Sequence, residues 1–342
     1  MKKVVLALAI IVLVSACKRG DNGGVAATAI SLNKNELTLE EDSQEILSAS
    51  FSPSGATGSV LVWESSDEQI AEVSDGKVTG LLPGKAEITV KSGNLMDKCQ
   101  VNVVDKNIDW DSMGHVGSEH VISTNNAESL EGKDYMFELW SADGGIGGPL
   151  SYYDNGTFSF SWNNPNDALC LVGLNYTKEE HGVDPTKKRI VADYKYSISG
   201  TSQNGTIGIH GWLSGYLHEF YIFEDWFDSS SLIFFGSEFD EYSLDGETYK
   251  VLLRWLPRGS YDENREMVVL SAVRATPRNS GRIHISEHYK KWCELFNGRE
   301  ETVDGVKVNL QLEELKGVFF TCDVFGRGAG TLDCTYFDML CK

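Results

Sequence analysis

The chain has 342 residues, and its 50 acidic residues outnumber its 30 lysines and arginines, which gives a net charge of -20 at pH 7. A charge of this sign argues against a nucleic-acid partner, because nucleic-acid binding calls for a basic stripe or patch. The length allows two domains of ordinary size.

The first residues have the pattern of an export signal. Two lysines precede an apolar run over residues 4–14, which is too short to span a membrane as a mature helix. The sequence LVSAC that follows resembles a bacterial lipoprotein box, which implies that Cys17 becomes the acylated first residue of the mature protein. We therefore expect a lipoprotein signal over residues 1–17, a glycine-rich tether over 18–26, and a cell-envelope location at the outer membrane or cell surface. The alternative is an ordinary signal peptide in which Cys17 is incidental.

Six further cysteines form an even set, as expected where disulfides persist. The segment CDVFGRGAGTLDC has a hairpin pattern centred on Gly328, which places Cys322 opposite Cys334 and makes that pair the candidate disulfide. The competing use is metal binding, which we do not expect. The sequence has no CxxC pair, and HISEH at residues 284–288 lacks the glutamate that follows the first histidine of a zincin helix. No cofactor is expected.

Residues 27–105 contain short strand-like runs separated by turn signals about 8 to 12 residues apart, a pattern typical of a β-sandwich. Within them, VWESSDEQIAEVSDGKVTGLLPGKAEITV resembles the bacterial Ig-like group 2 family, with Trp63 for the core, Asp75 and Gly76 for a hairpin turn, and Gly84 before the last strand. The resemblance implies a spacer or an adhesive module. The region has no catalytic cluster, and we expect a spacer, with adhesion as the alternative.

Residues 106–132 are polar and irregular and predict a linker, whereas residues 133–342 contain nine segments with strand periodicity and many aromatic and β-branched residues. Helical spacing occurs in SEHYKKWCELFNG, where Ser286 can cap the start and Gly298 the end. The chain is therefore predicted to be all-β: an Ig-like sandwich followed by a second, two-sheet sandwich with one short helix.

Aromatic rings and carboxylates alternate with core positions on these strands, and a concave face of this kind suits a sugar polymer. The segment GIHGWLSGYLHEFYIFEDW, residues 208–226, is similar to the central strand pair of glycoside hydrolase family 11, the β-jelly-roll xylanases. Further matches follow in order along the second domain: DGG at 143–145, NGTFSFSWNN at 155–164, LDGETY at 244–249, SAVRATPRNSGRIHISEHYKKW at 271–292 and CDVFGRGAG at 322–330. The resemblance implies a concanavalin-like jelly roll and an endo-acting glycosidase, with xylan the inherited substrate.

Glu219 occupies the position of the family's nucleophile. A carboxylate between aromatic neighbours on a strand that faces a cleft is rigidly held and partly desolvated, which suits this role. The alternative is a solvated strand glutamate. Tyr221 points to the same face two residues on, and the resemblance implies that it binds the nucleophile or the sugar ring oxygen.

Asp323 stands where the family has its glutamate acid/base. Because aspartate is one methylene shorter, the gap to Glu219 widens by about 1 to 1.5 Å unless the backbone compensates. Retention of configuration needs carboxyl groups about 5 to 5.5 Å apart and inversion about 6.5 to 9.5 Å. Three alternatives follow for Asp323: an inefficient general acid in a retaining enzyme, a general acid in an inverting enzyme, or a residue without a catalytic role.

Two further carboxylates are predicted to tune the pKa of Asp323. Asp167 matches the family position that contacts the acid/base. Asp333 lies opposite Asp323 in the predicted hairpin, on the same face, although a turn-proximal surface position is an equal alternative. Close like charges raise one member's pKa, as a general acid requires, and such groups titrate together.

Other candidate substrate-binding residues are Trp140, as a stacking platform, His210, where the family has tyrosine, and Arg254, near a family arginine. The family's thumb motif is matched only loosely by RGSYDE at 258–263, and its glutamine is replaced by Val269.

The first hypothesis is thus a monomeric, lipid-anchored glycosidase whose partners are a β-linked polysaccharide and, through the anchor, a membrane. The second is a glycan-binding protein on the same scaffold that has lost its acid. A third, an adhesin acting through the Ig-like domain with an idle second domain, ranks below both.

Overall fold

A computed structural model describes residues 25–110, 114–142, 147–177, 181–259 and 265–342, without the side chain of Ser231. The chain divides into two compact units, Met1–Ile108 and Asp109–Lys342. Within the described residues, no helix combines the length and the apolar character needed to cross a membrane. The predicted lipidation site Cys17 lies outside these residues.

The first unit is built from nine strands, which form sheets in the orders β1-β4, β2-β9-β8-β5 and β3-β7-β6. Their bounds are β1 Ala29–Leu32, β2 Glu36–Glu40, β3 Gln44–Ile46, β4 Ala49–Ser52, β5 Val62–Ser65, β6 Ala71–Ser74, β7 Lys77–Gly80, β8 Gly84–Ser92 and β9 Leu95–Val104. Alternate residues of these strands, such as Leu37, Leu39 and Ile88, form one core. The predicted β-sandwich is confirmed.

The predicted hairpin turn at Asp75 and Gly76 joins β6 to β7. Both residues have positive φ, 51° and 82°, a conformation that glycine and aspartate tolerate better than most residues. A Cβ atom on Gly76 would lie 2.4 Å from the carbonyl oxygen of Leu47, so only glycine fits there. Trp63 packs against the core from a partly buried position, as its place in the motif predicted.

The second unit has two large sheets. The six-stranded sheet has the order β10-β13-β14-β26-β16-β22 and the nine-stranded sheet the order β11-β12-β15-β25-β17-β18-β21-β20-β19, with a separate hairpin of β23 and β24. The bounds are β10 Glu119–Ile122, β11 Asn126–Ser129, β12 Met136–Ser141, β13 Leu150–Tyr153, β14 Phe158–Asn163, β15 Ala168–Asn175, β16 Ile190–Gly200, β17 Asn204–Leu213, β18 Leu217–Trp226, β19 Ser237–Leu244, β20 Glu247–Leu256, β21 Met267–Arg274, β22 Ser280–His284, β23 Arg299–Val303, β24 Val306–Leu310, β25 Leu315–Phe325 and β26 Ala329–Cys341.

One face of each large sheet packs against the other in a single aromatic-rich core that includes Phe158, Tyr194, Phe320 and Phe337. The two-sheet jelly roll is confirmed. The segment predicted as a linker differs, because it contains β10 and β11, which are edge strands of the two sheets. Their mostly polar, exposed residues lack the alternation by which strands are recognised.

Two helical segments are described. The 3₁₀ helix Ser229–Phe235, called η1 below, follows β18, and the α-helix α1 spans Ile285–Phe296. Ser286 lies inside the first turn of α1 and is not its cap. Its hydroxyl donates to the carbonyl of Lys188 and accepts from the amide of Ile190, so it ties the helix to the chain before β16.

The segment that connects β25 and β26 turns between the two sheets, so the predicted hairpin is wrong. Cys322 in β25 pairs with Cys170 in β15, and Cys334 in β26 pairs with Phe158 and Tyr196. Both cysteines are buried, and the six cysteines outside the signal segment are all free. Two strand-like segments separated by glycines are expected both for a hairpin within one sheet and for a connection between two sheets. The sequence pattern therefore could not distinguish these two arrangements.

Candidate active site

The face of the nine-stranded sheet that points away from the core holds a cleft of about 850 Å³. Its walls come from β12, β15, β25, β17 and β18 and from the loops beside them. The side chains alternate along most of β17: Ile207 and Ile209 enter the core, whereas His210 and Trp212 line the cleft. The same period of two puts Phe319 and Asp323 of β25 in the cleft while Phe320 and Cys322 are buried in the core.

Glu219 shares a face of β18 with the cleft residue Tyr221, two positions on. It is 2 % exposed, and it lies beneath the residues that line the cleft and is not one of them. Nε2 of His210, in the neighbouring strand, lies 2.8 Å from Oε1 of Glu219, a distance at which a ring N–H donates to a carboxylate. His210 is 6 % exposed, and its ring lies between those of Trp212 and Tyr221, each with a centroid separation of 4.2 Å. The stacked rings and the hydrogen bond therefore fix the carboxylate of Glu219 in one position.

Asp323 faces the same cleft from β25, two strands away. Burial raises its pKa well above the usual range, and the charge of Asp167, a hydrogen bond with Asp167 and the charge of Glu219 raise it further. Burial and two neighbouring carboxylates thus all favour the protonated form of Asp323. Its Oδ1 atom is buried and has no hydrogen-bond partner. A neutral carboxylic acid that senses the charge of Glu219 can donate a proton to a ligand in the cleft.

Two other predicted residues, Asp333 and Arg254, do not line the cleft. Asp333 lies in β26 of the other sheet, where its Oδ1 accepts from Nε2 of His115 at 2.7 Å. The prediction that it stands opposite Asp323 is wrong for the same reason as the hairpin. Arg254 is not among the residues that line the cleft, and its guanidinium donates to the carbonyl of Phe234 in η1.

Trp140 lies in β12 and lines the cleft, and the residue is 39 % exposed, as expected of a stacking platform. Tyr221 also lines the cleft. The motif at residues 143–145 and the centre of the segment predicted as the thumb, residues 260–264, lie outside the described residues.

The residues that line the cleft without having been predicted as site residues include Glu138, Trp212 and Lys316. The signal for two of them was available. Glu138 is two positions before Trp140 and Trp212 two positions after His210, so each shares a strand face with a predicted residue. Burial raises the pKa of Glu138. Lys316 comes directly after an irregular segment, so no alternation of apolar and polar residues predicts the face on which its side chain lies.

A buried ionic network holds β18 from the core side. Glu224, 0 % exposed, accepts hydrogen bonds from the hydroxyls of Tyr194 at 3.0 Å and Tyr249 at 2.9 Å, and from Nε of Arg278. Tyr194 belongs to β16 of the opposite sheet and Tyr249 to β20. The network therefore fixes the strand that carries Glu219 to both layers of the sandwich.

The model of glycosyl hydrolases family 11 matches residues 132–303, and that of the bacterial Ig-like domain, group 2, matches residues 26–103. The chain belongs to glycosyl hydrolases family 11. The match includes Glu219 and Asp167 and stops before Asp323, so the role of Asp323 rests on the geometry of the cleft.

Among the curated relatives, endo-1,4-beta-xylanase C of Fibrobacter succinogenes is 33% identical over 238 residues, which are 68% of this chain and 36% of the relative. Endo-1,4-beta-xylanase S20 of Neocallimastix patriciarum is 31% identical over 180 residues, 51% of this chain and 52% of the relative. The chain thus spans about a third to a half of the length of these relatives. The solved structure of wild-type ENZbleach xylanase superposes with a TM-score of 0.53 at 24% identity, over 67% of this chain and 89% of that chain, and so supports the fold.

Proposed function

We propose that the second unit is a retaining endo-1,4-β-xylanase with Glu219 as nucleophile and Asp323 as general acid/base. The observation that carries the proposal is a pair of unlike carboxyl groups at one aromatic cleft, Asp323 in its wall and Glu219 directly beneath His210, close enough for the charge of Glu219 to raise the pKa of Asp323. Asp323 is held neutral by burial and by Asp167, while Glu219 is held by the N–H of His210. When the surroundings of two carboxyl groups give them different pKa values, the group with the higher pKa serves as the general acid of a glycosidase and the ionised group as its nucleophile or base.

In the first step, the Asp323 proton passes to the glycosidic oxygen while a carboxylate oxygen of Glu219 attacks the anomeric carbon. The bond to the leaving sugar breaks, and a glycosyl ester forms on Glu219. In the second step, the Asp323 carboxylate removes a proton from water, and the resulting hydroxide attacks the anomeric carbon and releases Glu219. Asp323 is then protonated again, and each step balances in atoms and charge.

Retention is favoured by the burial of Glu219. An inverting enzyme needs space for a water molecule between the base and the sugar, which separates the carboxyl groups by about 6.5 to 9.5 Å. A glutamate that is 2 % exposed and hydrogen-bonded to a stacked histidine leaves little space for that water molecule. The relatives named as xylanases support xylan as the substrate.

The test is a reducing-sugar assay of the whole chain on soluble xylans and mixed-linkage β-glucans, with Glu219→Gln and Asp323→Asn as variants. We expect turnover on xylan that is lost in Glu219→Gln and reduced at least about a hundredfold in Asp323→Asn, within the usual range for loss of a general acid. Asp333→Asn is the matched control and keeps full activity, because Asp333 faces away from the cleft. Wild-type turnover by Glu219→Gln refutes the proposal, and retention on a xylan affinity gel without turnover supports a binding module instead.

We also propose that the chain is exported, monomeric and anchored by lipid on Cys17, with the Ig-like unit as a spacer. The support is the signal pattern of residues 1–17 and the presence of an Ig-like domain. Mass spectrometry of the mature N-terminus after bacterial expression is expected to find an acylated Cys17, and Cys17→Ala to release soluble protein. Light scattering of the soluble form tests the monomer.

A further inference from the structure

The part of the sheet face that a substrate can reach lies between β12 and β18. Beyond β18, Phe235 of η1 packs against Tyr221 and Phe223 at centroid distances of 5.0 and 4.6 Å and covers the face there. The described residues that line the cleft belong to β12, β15, β17, β18 and β25 and to the loops beside them. β12 therefore forms one side of the cleft, where it contributes Glu138 and Trp140.

Glu138 is a carboxylate of the cleft wall that has no partner within the described part of the protein. It lies two positions before Trp140, so both side chains point to the cleft, while Phe137 and Leu139 enter the core. The residue is partly buried, and no described residue forms a hydrogen bond or an ion pair with its carboxylate. Burial is accordingly the cause that raises its pKa.

A carboxylate that is partly withdrawn from water without a partner is unfavourable, because burial removes hydration that no hydrogen bond replaces. A ligand that supplies donors offsets this cost. An ionised carboxylate only accepts hydrogen bonds, so the ligand that suits Glu138 presents hydroxyl groups. Adjacent hydroxyls on the edge of a sugar ring match the two oxygens of one carboxylate.

The position of Glu138 beside Trp140 indicates which sugar supplies these hydroxyls. Side chains two positions apart on a strand lie about 6.6 Å apart on the same face. A sugar whose apolar face stacks on the exposed ring of Trp140 therefore has its edge hydroxyls within reach of Glu138.

The surroundings of Trp140 are acidic. Trp140 lies in the same row of the sheet as Asp323, with one strand between them. The carbonyl of Asp167 accepts from the first backbone amide after β12 at 3.0 Å, which places this residue next to the end of the strand. Lys316, a cation of the cleft wall, lies near the opposite end of β25 from Asp323. An anionic group on the sugar at Trp140 therefore meets carboxyl groups, of which Glu138 is on the same strand.

We propose that Glu138 binds the sugar that stacks on Trp140 through two adjacent ring hydroxyls and excludes acidic side groups from that ring. This inference rests on the proposed xylanase function and defines its substrate class: internal stretches of xylan in which the ring at Trp140 carries no uronic acid. A uronic acid linked to one of the two hydroxyls removes a donor and places a second carboxylate beside Glu138, and like charges at close range repel. A neutral side group removes the donor without adding a charge.

The test compares glucuronoxylan with the same polymer after chemical reduction of its uronic acids to neutral sugars, which removes the charge of the side group. Mass spectrometry measures the substituted fragments at equal extents of hydrolysis. With wild-type protein, the shortest substituted fragment of the reduced polymer is expected to be about tenfold less abundant in the digest of the native polymer, equivalent to about 1.4 kcal/mol in transition-state binding. In Glu138→Gln the two yields are expected to become similar. Glu131→Gln, which removes the same charge from an exposed position between β11 and β12, is the matched control and keeps the wild-type difference.

A second measurement separates binding from a structural role. On neutral xylohexaose, Glu138→Leu is expected to lower kcat/KM by about tenfold. Its Tm without substrate is expected to equal or exceed that of the wild type, because the replacement removes an unpaired carboxylate and no contact within the described part of the protein. A lower Tm with unchanged kcat/KM indicates a structural role and overturns the inference.

Equal fragment yields from the two polymers with wild-type protein also overturn it, and so does an undiminished difference in folded Glu138→Gln. Xylan turnover itself is decided beforehand by the reducing-sugar assay. Failure of the Glu138 inference therefore leaves the proposed function intact, whereas failure of that assay removes the proposed function.

Discussion

The hydrogen bond from His210 to Glu219 offers the sharpest perturbation of the site. His210→Phe keeps a ring between Trp212 and Tyr221 and removes the N–H group, whereas His210→Gln keeps an N–H donor of similar reach and removes the ring. The two variants therefore separate the two contacts that His210 makes with its surroundings.

The size of each effect follows from the geometry. Loss of a hydrogen bond to a buried charged group costs about 1.5 to 3 kcal/mol, so His210→Phe is expected to lower kcat/KM on soluble xylan by about 10- to 150-fold. Loss of ring stacking costs about 0.5 to 1.5 kcal/mol per ring pair, part of which the Gln side chain replaces, so His210→Gln is expected to lose about tenfold or less.

Steady-state kinetics on soluble arabinoxylan, with thermal denaturation as a control for folding, measure both variants. The expected order of kcat/KM is wild type, then Gln, then Phe. If a folded His210→Phe variant is as active as His210→Gln, the hydrogen bond has no catalytic role, and the placement of His210 as the residue that holds the nucleophile is wrong.

Three other predictions follow from the same structure. Burial raises the pKa of Asp323 above its value in the unfolded chain, so between these two pKa values the native state holds a proton that the unfolded chain releases, and the stability of the wild type falls as pH rises above about 4. Asp323→Asn does not titrate, so its Tm relative to the wild type is expected to increase from pH 4 to pH 7. A constant Tm difference contradicts the raised pKa of Asp323. Early products of xylopentaose hydrolysis are expected to be β-anomers by NMR, and α-anomers would mean inversion. Arg278→Met removes the cation that is hydrogen-bonded to the buried Glu224 and leaves Arg274, whose Nε lies 3.8 Å from the same carboxylate, so it is expected to cost about 3 kcal/mol of unfolding free energy in denaturant titration. Lys250→Met breaks an exposed ion pair with Glu238 and is expected to leave the unfolding free energy nearly unchanged, so equal losses contradict the role of the network.

The sequence correctly predicted features that are determined within a single strand or turn. Alternation along β18 put Glu219 and Tyr221 on one face, and the structure places both there. The Asp75 and Gly76 turn was equally local, because its backbone conformation restricts the residues that fit. The nearness of Asp167 to Asp323 came from the family resemblance, since the two residues are distant in the chain.

Features that depend on how strands are assigned to sheets could not be predicted in this way. The spacing around Gly328 was compatible with a hairpin, but β25 and β26 belong to different sheets. As a result, Asp333 is hydrogen-bonded to His115 in the other sheet, and Cys322 and Cys334 do not form a disulfide. The apolar residues of η1 carry no strand period and gave no sign that they cover the sheet. Arg254 was misassigned as a consequence, because its partner is the carbonyl of Phe234.

The central claim is that Glu219 forms a covalent bond with the sugar. The most direct measurement is to inactivate the whole chain with a 2-deoxy-2-fluoro-β-xylobioside that carries a good leaving group, and to map the label by peptide mass spectrometry. The account predicts one label per chain on the peptide that contains Glu219, and no label in Glu219→Gln. A label on another carboxylate, or xylan turnover by a protein that never becomes labelled, contradicts it.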